Sequence, residues 1–183
     1  MFQLTKAIVV ICFLMARSFA QGKGATDQRA LSVCDILADP IKYNGRLVAI
    51  RGVSEGTDEG WWIGAGKPCN APLVTGGYTW PSIIWVGSVG GPQMSRRVEF
   101  RTDQRAVDRI DREVRRMRID PKLDRVWLTF IGLFETREFT ARDVGRAGGA
   151  WRAFGFGHLN TAPGQLFLKT VRDLYVERGA AHQ

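Results

Sequence analysis

The apolar residues of this chain fall into three patterns: one unbroken run, several short alternations and one helical period. Ala7 to Met15 is the unbroken run. Ser32 is placed to cap a short helix over Val33 to Ala38, which Pro40 is expected to stop. Behind the turn signal Asn44-Gly45, Arg46 to Val53 reads as a strand, with a bulge or bend at Gly52. Gly60 to Ala65, holding Trp61, Trp62 and Ile63, is a second strand across an acidic turn. Pro81 to Val86 is a third, with Ile83 and Trp85 on one face and Ile84 and Val86 on the other. The period then changes. From Thr102 to about Arg118, Val107, Ile110, Val114 and Met117 recur at spacings of three and four. That predicts a helix capped by Thr102 or Asp103 and ended before Pro121. Arg125 to Thr136 and Gln165 to Val176 complete the set as two longer strands.

Three strands, one helix and two strands is the element order of an OB-fold, a five-stranded, partly open barrel with a helix between the third and fourth strands. The expected fold is therefore mainly β: an OB-fold-like barrel with one major helix and a short N-terminal one. The long connection from Glu138 to Gly164 is rich in glycine and keeps no sustained period, which suits a functional or mobile loop. A ligand site in such a barrel is expected on the second and third strands and the adjoining loops, here residues 55–64, 80–87 and 138–164.

The run from Asp39 to Gly52, Asp-Pro-Ile-Lys-Tyr-Asn-Gly-Arg-Leu-Val-Ala-Ile-Arg-Gly, contains a Pro-x-x-Tyr-x-Gly-Arg-x-Val opening. It resembles the opening of small exported or lipid-anchored bacterial OB-fold proteins of unassigned function. Gly155-Phe156-Gly157-His158-Leu159-Asn160, followed by Pro163 and Gln165-Leu166, is similar to the close of comparable exported proteins. The resemblance implies a fold and a compartment, and it brings no active site. Structure alone accounts for the opening: Tyr43 packs under the barrel, Gly45 supplies a positive φ and Gly52 lets the strand bend.

Residues 1–20 have the layout of a secretory signal peptide: Lys6, the nine-residue apolar run, then Ser18-Phe19-Ala20 as the cleavage site before Gln21. The run is short of the roughly 20 residues a spanning helix needs. Ile11 before Cys12 is too large for a lipoprotein signal. Cleavage near Ala20 would leave a flexible lead-in over residues 21–30, one domain over 31–177 and a frayed tail over 178–183. The whole chain has 26 basic and 18 acidic residues, a net +8. Loss of Lys6 and Arg17 with the leader gives 24 against 18, a net +6. It would also remove Cys12, leaving Cys34 and Cys69 as an even pair where disulfides persist, so a Cys34–Cys69 bridge is expected.

Few residues carry recognisable chemistry. Gly64-Ala65-Gly66-Lys67-Pro68 lacks the first glycine and the Ser or Thr of a phosphate loop, and Gly155-x-Gly157 lacks the third glycine of a dinucleotide site. No C-x-x-C occurs and the histidines are His158 and His182, so zinc is poorly supported; no metal or other cofactor is expected. Asp58 and Glu59 are adjacent and point apart, as solvated turn acids do. His158 is the one candidate for acid–base work, without a recognisable partner in sequence, and a structural role beside a glycine turn suits it better. Non-enzymatic binding is the expected function, with Trp61, Trp62, Trp85 and His158 as candidate ligand contacts. Trp61 and Trp62 are neighbours in a strand and must face opposite ways. Arg105, Arg109, Arg112 and Arg116 form a basic ridge opposite the apolar stripe of the helix, with Asp108–Arg112 and Asp111–Arg115 as favourable pairs. The expected partner is an envelope ligand or protein. A polyanion bound by an exposed tryptophan and the ridge is the alternative, and export argues against nucleic acid. An enzyme using His158 is the third.

Overall fold

The computed structural model describes residues 29–75, 77–87, 99–137, 155–157 and 160–179. The leader, His158, the tail beyond Gly179 and most of the 138–164 connection lie outside the described residues. Within them the protein is mainly β. The elements in chain order are β1 (Leu31–Ser32), α1 (Val33–Ala38), α2 (Pro40–Tyr43), β2 (Arg46–Thr57), β3 (Gly60–Gly64), β4 (Val74–Thr75), β5 (Tyr78–Thr79), β6 (Ile83–Gly87), α3 (Gln104–Arg116), β7 (Arg125–Glu135) and β8 (Gln165–Glu177).

Six strands form one sheet in the order β1-β2-β3-β6-β8-β7, and β2 also pairs with β7. The pairings therefore return on themselves through five strands, while β1 runs parallel beside β2 at Leu31↔Ile50. β6 and β8 are parallel, and the remaining neighbours are antiparallel. Register in β2–β7 runs from Arg46↔Phe134 to Val53↔Trp127. Between β7 and β8 it slips near Gly132, where an added Cβ would collide with the carbonyl oxygen of Phe167, so the close approach of the two backbones needs glycine.

Five strands, one main helix and one short helix were expected; the described residues hold eight strands and three helices. The additions are short. β1, β4 and β5 span two residues each, too few to show alternation, and β4–β5 form a separate small hairpin. Pro40 ends α1 but also begins α2 as its first residue, where a missing N–H costs nothing, and Asp39 accepts a hydrogen bond from Lys42 N as the cap. β2 continues past Val53 to Thr57, extending the hairpin beyond the expected boundary.

The core lies inside the curled sheet, with Ile50, Ile63, Ile84, Phe130, Phe134 and Leu166 fully buried. Val33, Ile36 and Leu37 of α1 pack onto it. Ser32 caps α1 reciprocally with Asp35, whose carboxyl the Ser32 backbone N–H and hydroxyl hold below the usual carboxylate range. The Cys34–Cys69 bridge forms, with Cα atoms 5.5 Å apart, and staples α1 to the segment after β3.

Helix α3 is held at its start. Asp103 accepts from Ala106 N, Thr102 Oγ1 donates to Leu168 O, and Asp103 N donates to Lys169 O. Only its first turn is sealed onto the sheet: Ala106 is buried, whereas Val107, Ile110 and Val114 are half-buried and Met117 is 39 % exposed. An apolar stripe that is not covered by the sheet leaves a gap beneath the helix.

Candidate functional site

That gap is a cleft of about 1320 Å³ between the β2–β3 hairpin (54–61), the inner face of α3 and the connection 119–126. Leu128 and Val171, each 2 % exposed, close its floor. Val107, Ile110 and Val114 make one wall, and Trp61 stands among the lining residues of the hairpin. Trp61 is fixed rather than free to swing. Its ring meets Phe130 edge-on at 5.4 Å, and its Nε1 donates to Ser54 Oγ at 2.8 Å.

The charges around this cleft run opposite to the chain as a whole. Its lining residues include six acidic ones, Glu55, Asp58, Glu59, Asp108, Asp111 and Asp124, against three basic ones, Arg115, Lys122 and Arg125. Asp111 pairs with Arg115 at 2.9 Å. Asp108, expected to pair with Arg112, accepts instead from Gln104 Nε2 at 2.8 Å. Glu55 is exposed as a residue, yet its carboxyl lies over Gly64, where an added Cβ would strike it. Burial pushes that carboxyl above the usual carboxylate range, and Arg125 offsets part of the rise.

Asp124 belongs to the framework. Its fully buried carboxylate accepts from Asp120 N, Gly179 N and Arg178 Nη1, the last at 2.8 Å, and so ties the 117–124 connection to the end of β8. Its sequence neighbourhood shows only the local turn to Asp120, because the partners that tie it to β8 lie 54 and 55 positions away.

Of the expected ligand contacts, the fold brings Trp62 and Trp85 together and leaves Trp61 elsewhere. Trp62 and Trp85 are direct partners across β3–β6, with rings 5.2 Å apart and nearly perpendicular at 81°. Trp61 faces the opposite side of β3, as the alternation requires. Trp85 is clasped from two sides. An added Cβ at Gly60 or at Gly157 would overlap its indole, so both positions keep room for the ring. The pair is thus a half-buried packed unit more than an open stacking platform. His158 follows Gly157 in the chain and lies outside the described residues.

The four ridge arginines are all exposed, and none lines the cleft. They occupy the outer side of α3 while Trp61 stands across the cleft from its inner side, so the helix itself separates the ridge from that tryptophan. Asp58 and Glu59 are exposed at the hairpin turn and contribute to the acidic rim. Among the described residues no group of three or more His, Cys, Asp or Glu side chains is placed to hold a metal ion. Among those residues, too, no helix is long and apolar enough to cross a membrane.

The wall residues Val107, Ile110 and Val114 are the functional candidates that sequence reasoning missed. Their period was legible, but a period says which face is apolar and not what covers it. Compared with known proteins, the chain matches no family model, no curated protein and no solved structure.

Proposed function

We propose that this protein is an exported, non-enzymatic binding module built on an OB-fold-like barrel, and that its ligand enters the cleft beneath α3. The observation that carries this reading is the apolar stripe of α3 standing half-open over a cleft of about 1320 Å³. The OB-like reading draws support from the circuit β2-β3-β6-β8-β7-β2, with α3 between its third and fourth strands in chain order. Export is supported by the leader pattern and by the Cys34–Cys69 bridge, a bond that persists in oxidising compartments. A binding role fits the lining, which among the described residues offers apolar walls and carboxylates but no histidine or cysteine. The polyanion reading is the weaker one, because the cleft is acidic and the ridge points away from it.

The test uses Nile red, an uncharged apolar dye whose fluorescence rises out of water. The disulfide-bonded chain should bind it, and Ile110→Asn combined with Val114→Asn should weaken binding about tenfold, the effect of losing roughly two methylene-sized contacts. Equal binding by the wild type and a folded double variant would refute the cleft as the ligand site.

A further inference from the structure

We infer that the cleft takes a basic amphipathic segment of a partner polypeptide, its apolar side chains against α3 and Trp61 and its lysines or arginines at the acidic rim. This rests on the proposed function and names the class of ligand for the same cleft. Size is the first argument. Pockets for small molecules run to roughly 300–1,000 Å³. A cleft of about 1320 Å³ exceeds that range, and α3 lines it from Gln104 to Arg115, about 17 Å of helix at 1.5 Å per residue, the span of a short stretch of chain. Its geometry also matches the helix-in-groove mode, in which an amphipathic helix lays its apolar side chains between hydrophobic walls.

Sign of charge is the second argument. In a chain of net +8, and with Asp124 held by Arg178 and Glu55 beside Arg125 set aside, the lining still carries four acids, Asp58, Glu59, Asp108 and Asp111, against two bases, Arg115 and Lys122. Electrostatic complementarity selects partners by opposed potential. An anionic segment would meet Asp108 and Asp111 on the helix and Asp58 and Glu59 on the hairpin, and would be repelled. A basic one would pass the cationic outer surface unfavourably and be favoured only at the cleft, which makes the site selective in position as well as in charge. The ridge of Arg105, Arg109, Arg112 and Arg116 lies on the outer side of α3 and would not compete with the ligand for the rim.

Two synthetic peptides of about ten residues, matching in helical apolar period, serve as probes: one of leucine and lysine, the other of leucine and glutamate. Titrated into the disulfide-bonded chain, the Leu/Lys peptide should bind and the Leu/Glu peptide should not. Asp108→Asn with Asp111→Asn should weaken the Leu/Lys peptide about three- to tenfold and flatten its salt dependence, as expected for two partly exposed ion pairs. Arg105→Ala with Arg109→Ala, on the ridge, should not weaken it. Equal binding of both peptides would overturn the charge preference while leaving the cleft as the site. Failure of both peptides in a chain that binds Nile red would overturn the inference and spare the proposed function, whereas failure of peptides and dye together would remove both. A self-associated chain that the Leu/Lys peptide does not dissociate, followed by light scattering, would assign the cleft to a second copy and overturn the inference.

Discussion

At the scale of single residues, the carboxyl of Glu55 reports on the outer face of the β2–β3 hairpin, which it shares with its cross-strand partner Trp62. It sits where Gly64 leaves space, and burial raises its proton affinity in the folded state. A carboxyl raised on folding contributes stability that is complete below its unfolded pKa, about 4.3, and is lost as pH rises through the folded value. At neutral pH the folded chain therefore carries a penalty that the neutral amide would not. Glu55→Gln should raise the urea midpoint at pH 7, with the gain shrinking to nothing below about pH 4, where both forms are uncharged. A midpoint lowered at pH 7 would mean that attraction to Arg125 outweighs burial. Trp61 and Trp62 make a second residue-scale point. Their opposite directions followed from strand alternation alone, but the partners that fix them, Phe130 and Ser54 for one and Trp85 for the other, are set by registers between strands.

Elements were legible where they were long and where one period governed them. The faces of β6, with Ile83 and Trp85 opposite Ile84 and Val86, are those the alternation predicts, and α3 lies within two residues of its expected span. Two-residue strands offered no pattern to read. Pro40 reads from sequence as a stop, because proline ends helices, whereas in the fold it ends one and begins the next. The cleft itself was hidden from sequence, since residues 54–61, 104–115 and 119–126 meet only after the sheet has curled. The even cysteine pair was readable, and its consequence belongs to α1. The bridge joins residues 35 positions apart and encloses β2 and β3. Replacing both cysteines with serine should cost about 3–4 kcal/mol on the loop-entropy model, measured by urea unfolding of the oxidised wild type against the double variant. A loss under about 1 kcal/mol would show that α1 is held by packing alone, with little closure entropy removed from the unfolded chain.

For the molecule as a whole, a single helix sorts the charges. α3 turns four arginines outward, while Val107, Ile110, Val114, Asp108, Asp111 and the Asp111-paired Arg115 line the cleft, so a basic protein holds a cleft in which acids outnumber bases. The curled sheet supplies the floor, the β2–β3 hairpin the facing wall, and Asp124 pins the connection that closes the end. The outer pair Trp62–Trp85 belongs to a different face and is packed by glycines. These two faces give different footprints, and amide hydrogen exchange reads them directly. With the Leu/Lys peptide at saturation, exchange should slow in residues 54–61 and 104–126 and stay unchanged across β6. Slowing centred on Trp62 and Trp85, with α3 unaffected, would contradict binding in the cleft.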